Sequence, residues 1–89
     1  MSELSPGRTL VSFSSPLSSQ TYTCPNPKQV ACSITGGKVI VVWTFSDNKT
    51  ATETYSLETN QLRGNGFSGV TKLEITPSQE SSASLERSI

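Results

Sequence analysis

The segment Lys38-Val-Ile-Val-Val-Trp-Thr-Phe-Ser46 constrains this chain more than any other. Val39, Val41, Trp43 and Phe45 alternate with Ile40, Val42 and Thr44. A strand places alternate residues on opposite faces, and here both faces carry apolar or β-branched side chains. Such a strand must be flanked and covered, so a sheet has to be built around it. At 89 residues the chain fits one domain.

The flanking sequence supplies candidates. Gln29–Thr35 alternates Val30, Cys32 and Ile34, and Gly36-Gly37 follows as a two-residue hairpin signal. After Ser46, Asp47-Asn48-Lys49 carries turn chemistry. Thr50–Glu58 then alternates Glu53, Tyr55 and Leu57 against Thr52, Thr54 and Ser56. Residues 29–58 therefore read as a three-strand antiparallel meander. Val70–Thr76 is a further strand, with Leu73 and Ile75 against Lys72 and Glu74, and Pro77 ends it. Thr9–Ser14 and Gln20–Cys24 are weaker strands on either side of Ser15-Pro16. The expected fold is all-β, a small antiparallel barrel or sandwich of five to six short strands. Residues 1–8 are expected as a polar N-terminal arm, 9–76 as the β-domain, and 77–89 as a Ser-rich C-terminal tail.

Composition excludes more functions than it suggests. The chain has no histidine, and Ser and Thr make up 27 of its residues. A serine nucleophile ordinarily needs a nearby base, most often His. The acids Asp47, Glu53, Glu58 and Glu74 fall on separate strands or turns, so no carboxylate pair is expected at one cleft. Two cysteines without histidine do not complete a zinc site. Hence neither catalysis, a cofactor nor a metal is expected. Seven basic and seven acidic residues balance, and Arg8, Lys28, Lys38, Lys49, Arg63, Lys72 and Arg87 never form a run. Phosphate binding favours a basic stripe, so nucleic acid is an unfavoured partner, even with Tyr22, Trp43, Phe45 and Tyr55 as imaginable stacking surfaces. No apolar stretch is long enough to span a bilayer. The start MSELSPGRTL lacks the basic and apolar regions of a signal peptide, so synthesis in a cytosol is expected. In that setting the sequon Asn48-Lys49-Thr50 reads as a plain turn.

Three features carry candidate contacts. Cys24 and Cys32 bracket a Pro-stiffened loop; they read either as a disulfide or as buried reduced thiols. The glycine-rich stretch 59–69 contains Leu62, Arg63 and Phe67. Its Gly64-Asn65-Gly66 precedes a strand and not a helix, so it is no phosphate cradle. Phe67 either plugs the core or meets a partner. Leu4, Leu10, Phe13, Leu17, Leu85 and Ile89 are the apolar anchors near the ends. A Ser/Thr-rich, His-free, β-dominated chain with polar arms resembles, in composition, small accessory proteins of viral particles. The function this implies is structural: docking on copies of itself or on a larger lattice protein through the β-domain and arms. The rival readings are a monomeric protein-binding module or inhibitor working through the 59–69 loop, and a small-barrel nucleic-acid binder.

Overall fold

A computed structural model describes residues 2–56 and 67–88. It contains seven strands: β1 (Ser2–Glu3), β2 (Gly7–Phe13), β3 (Gln20–Gly36), β4 (Lys38–Phe45), β5 (Thr50–Ser56), β6 (Phe67–Pro77) and β7 (Ser81–Arg87). They form one sheet in the order β2-β7-β3-β6-β4-β5, with the short β1 added to β3 in parallel. Every other pairing is antiparallel. The sheet rolls around a single core, so the architecture is the expected all-β, barrel- or sandwich-like small domain.

β4 does what its sequence demands. It lies between β6 and β5, with Val39, Val41 and Trp43 fully buried on the inward face. Leu73 and Ile75 of β6 and Tyr55 of β5 close around them. Burying one such side chain contributes about 1.5–3 kcal/mol relative to leaving it in water. Phe67, at the start of β6, brings its ring centroid within 5.1 Å of Trp43 and 5.5 Å of Phe45, both in tilted or edge-on geometry. It packs against the core and stays partly exposed.

The turn after β4 also follows its chemistry. Asn48 takes a left-handed backbone conformation, φ 67°, and donates its N–H to the Phe45 carbonyl at 2.9 Å. Asp47 Oδ1 accepts the Lys49 N–H at 3.0 Å.

β3 is the longest strand and serves both halves of the sheet. Residues 20–30 pair with β6, and residues 30–36 pair with β7. Pro25 and Pro27 lie within the part that pairs with β6, between Thr23 and Lys28. Proline has no N–H to give a ladder, and the β3–β6 register slips between Thr23 and Lys28.

Two expectations are corrected. Gly36-Gly37 is not a hairpin, because β6 is inserted between β3 and β4. A two-residue I′ turn requires φ > 0 at both positions, and only Gly37 has it, at 83°. Gly36 instead pairs with Ser82 of β7, and the chain turns a corner at Gly37. A Cβ on Gly37 would collide with the Glu80 carbonyl oxygen and the Ser81 hydroxyl. That hydroxyl accepts the Lys38 N–H at 3.0 Å, locking the corner against the β6–β7 turn.

The second correction concerns the C-terminal tail. Residues 81–87 form β7, an inner strand flanked by β2 and β3. Ser81, Ala83 and Leu85 face inward and are buried. Only one of the three is a large apolar residue, so the period-2 signal is faint. Small side chains suffice because Val11, Phe13, Cys32 and Ile34 on the flanking strands supply core volume. The N-terminal arm is likewise tied down. Leu4 is buried, its N–H bonds the Thr23 carbonyl at 2.8 Å, and Arg87 Nη1 donates to the Leu4 carbonyl at 2.6 Å.

Most of the serine and threonine of the described residues lies on the outer surface, Ser56 and Ser81 being buried. Across the outer face of one half, aligned rows run Thr52–Val42–Glu74–Thr21 and Thr50–Thr44–Lys72–Thr23. Threonine combines β-branching with a hydroxyl that stays in water, which suits the solvated side of a sheet.

Candidate functional site

The apolar anchors expected to reach a partner sort into two groups. Leu4, Phe13 and Leu85 are buried in the protein's own core, which corrects their reading as partner contacts. Phe13 and Leu85 occupy inward positions of β2 and β7, where strand alternation turns them from the surface; Leu4, just after β1, is held by its backbone bonds to Thr23 and Arg87. Among the described residues Leu10 and Leu17 are the exposed large hydrophobics, at 75% and 38% of full exposure. Leu62, Arg63 and Ile89 lie outside the described residues. Among the described residues, β2 and the corner after it thus carry the most exposed apolar side chains, and Ile40 and Val42 lie half-buried on the outer face of β4.

That surface is built by alternation. In β2, Val11 and Phe13 point into the core, and Arg8, Leu10 and Ser12 point to solvent. Their neighbours on the same outer face are Ser82, Ser84 and Glu86 of β7, then Ser33 and Ala31 of β3. Arg8, Leu10, Ala31, Ser33, Thr35, Ser84 and Glu86 line one shallow depression. Arg8 and Glu86 face each other across the ladder at 3.5 Å, both well exposed. A surface pair of this kind contributes about 0–1 kcal/mol and mainly fixes orientation. At one rim Thr35 Oγ1 shares a 2.8 Å hydrogen bond with Ser82 Oγ.

β2 is also one end of the strand order. Among the described residues β7 is its one ladder partner, through seven consecutive pairs without a register shift. Its other edge presents backbone N–H and C=O groups that an added strand can use.

The core contains a polar cluster of a different kind. Tyr55 donates its hydroxyl hydrogen to the Glu53 carboxylate. Burial, the hydrogen bond and the charge of Glu53 push the Tyr55 hydroxyl far above the usual phenol range. Burial, with the Glu53 charge adding to it, pushes the Cys32 thiol up to about 12. The buried Trp43 indole N–H lies against the Tyr55 hydroxyl and partly opposes the rise there. Groups held this firmly in their neutral forms are poor nucleophiles and poor bases at neutral pH.

Cys24 and Cys32 are both free and buried. Burial raises the Cys24 thiol as well, with the Arg87 charge opposing and Glu3 adding. A second depression is lined by Ser2, Ser19, Gln20, Thr21, Tyr22 and Lys72, a set with one charge. Among the described residues no three His, Cys, Asp or Glu side chains gather as metal ligands, and no helix is long and apolar enough to cross a membrane.

Sequence reasoning picked out Leu10 but not its surroundings. The partners Ser84 and Glu86 come from β7, which the sequence did not announce as a strand. No family model matches the chain, and neither the curated proteins nor the solved structures contain a match to it.

Proposed function

We propose that this chain is a non-enzymatic assembly protein, an accessory component that docks onto a larger protein particle, such as a virion, through the outer face and free edge of β2. The observation that carries the reading is the position of Leu10. At 75% it is the most exposed large apolar side chain among the described residues, and it stands on a strand with one ladder partner there; Leu17 follows at 38%, and Ile40 and Val42 on the outer face of β4 are half-buried. An apolar side chain beside unpaired backbone groups suits strand addition, in which main-chain hydrogen bonds give affinity and side chains give register. The neutral, hydroxyl-rich remainder of the surface suits a protein that must meet other proteins without attracting polyanions.

The ends contribute differently from the expectation of free arms. Leu4 and Leu85 hold the domain together, so docking falls to the β-domain itself.

The test is sedimentation of an extract from the native source. The assembly reading expects the protein in fast-sedimenting particles, and a Leu10→Glu chain left among the light fractions. Recovery of the unaltered protein solely as a free, light species would overturn it.

A further inference from the structure

We infer that β2 pairs with β2 of a second copy of this chain, antiparallel, about a two-fold axis passing through Leu10. The inference rests on the assembly reading and names a partner for its surface.

The strand is complementary to itself in that register. With Leu10 of one copy opposite Leu10 of the other, Arg8 falls opposite Ser12, Thr9 opposite Val11, and Gly7 opposite Phe13. Apolar meets apolar at the axis, and β-branched residues meet beside it; both kinds of cross-strand pair are favourable. The largest side chain of the strand faces the smallest. Space is open there, since a Cβ placed on Gly7 would touch nothing within 4 Å.

Charge fits the same register. Each Arg8 already has Glu86 beside it on its own β7. Across the axis it meets a serine. The two Arg8 residues stand four positions apart along the strand, roughly 14 Å at the strand rise, beyond a screening length of about 8 Å at physiological salt. Shifting the register by two residues in one direction sets Arg8 against Leu10 twice. Shifting it in the other sets Leu10 against Ser12 twice and carries Arg8 off the end of the partner strand.

The edge itself is prepared for pairing. Strand edges are commonly blunted by proline, a bulge or an inward-pointing charge. β2 has none of these: it contains no proline, its ladder to β7 is unbroken, and its inward residues are Thr9, Val11 and Phe13. Strand-to-strand pairing with one apolar contact per copy buries less than the roughly 1,000 Å² of a robust interface. A weak, concentration-dependent dimer is therefore expected, strengthened where many copies are held on one particle.

The experiment is sedimentation velocity of the purified full chain over a concentration series, with Leu10→Lys and Leu10→Glu variants alone and mixed. The exposed site lets both variants keep the melting curve of the unaltered chain. The unaltered chain should dimerise reversibly. Leu10→Lys alone and Leu10→Glu alone should each dimerise at least about tenfold more weakly, because like charges then meet on the axis. Mixing the two should restore the dimer, since opposite charges meet there. A dimer that survives Leu10→Lys, or a mixture no tighter than Leu10→Lys alone, would overturn the pairing. A purified chain that stays monomeric, while the native protein still travels in particles, would also overturn it; the β2 edge would then take a strand of another protein, and the assembly reading would stand. A monomer in both settings would remove both.

Discussion

β2 and β5 are the two ends of the same sheet, and they end it in opposite ways. β5 turns Ala51, Glu53 and Tyr55 inward and shows Thr50, Thr52 and Thr54 to solvent. Its inward carboxylate, held by the Tyr55 hydroxyl, would be stranded against any strand added at that edge. β2 turns Val11 and Phe13 inward and shows Leu10. One edge is closed by a charge the core tolerates; the other is left open with an apolar residue beside it. Edges of one small sheet need not be equivalent, and the side chain at the inward middle position decides which one can grow.

The sharpest way to break the closed edge is Tyr55→Ala. A fully buried aromatic is lost from β5, and a cost of about 3–5 kcal/mol is expected from denaturant unfolding. A change below about 1 kcal/mol would mean that β5 is not anchored by this residue.

Alkali should attack the same side next. Tyr55 and Cys32 are neutral acids whose folded values lie above their ordinary ones. As pH rises past about 9 the unfolded chain releases the thiol proton first, so stability is complete below that pH and falls between about 9 and 12. Melting temperature against pH should show this decline, and Cys32→Ala should flatten part of it. A slope unchanged in that variant would take Cys32 out of the account.

Glu53→Val tests the guard directly. The Tyr55 hydroxyl loses its acceptor, a cost of about 1–3 kcal/mol for a buried polar group. Light scattering should also rise with time as the β5 edge becomes able to pair. Clear solutions at high concentration would show that the carboxylate does not protect the edge.

The smallest effect is expected at the open edge. Leu10→Ser should leave unfolding free energy within about 0.5 kcal/mol of the unaltered protein, because the side chain is mostly in water already. A loss of several kcal/mol would mean that Leu10 is structural and would erase the contrast between the edges.

The contrast was half legible in the sequence. β4 and β6 carry large apolar residues at period 2, and their inward faces follow directly from that pattern; in β5 Tyr55 alone marks the inward face, among alternating threonines. The turn at Asp47–Lys49 follows from its residue types. What failed was long-range order. Gly36-Gly37 looks like a hairpin locally, but nothing local shows that β6 will enter between β3 and β4. β7 was hidden because Ser81 and Ala83 are small, and a strand can face a core with small residues when its neighbours fill the volume. With β7 unseen, Leu85 looked like a free anchor. Leu10 stands out in the sequence as an apolar residue between polar Arg8 and Ser12 at alternate positions, yet its place on an edge depends on β7 standing beside it.

That placement has a consequence for how the molecule comes into being. β7 follows every other described strand in the chain, yet it stands between β2 and β3. A growing polypeptide would present β2 early and give it no neighbour until residues 81–87 emerge. Through that interval an apolar, unblunted strand waits alone, and sheets closed by such distant segments assemble slowly. The step that completes the sheet is thus also the step that first turns β2 from an aggregation hazard into an ordered edge.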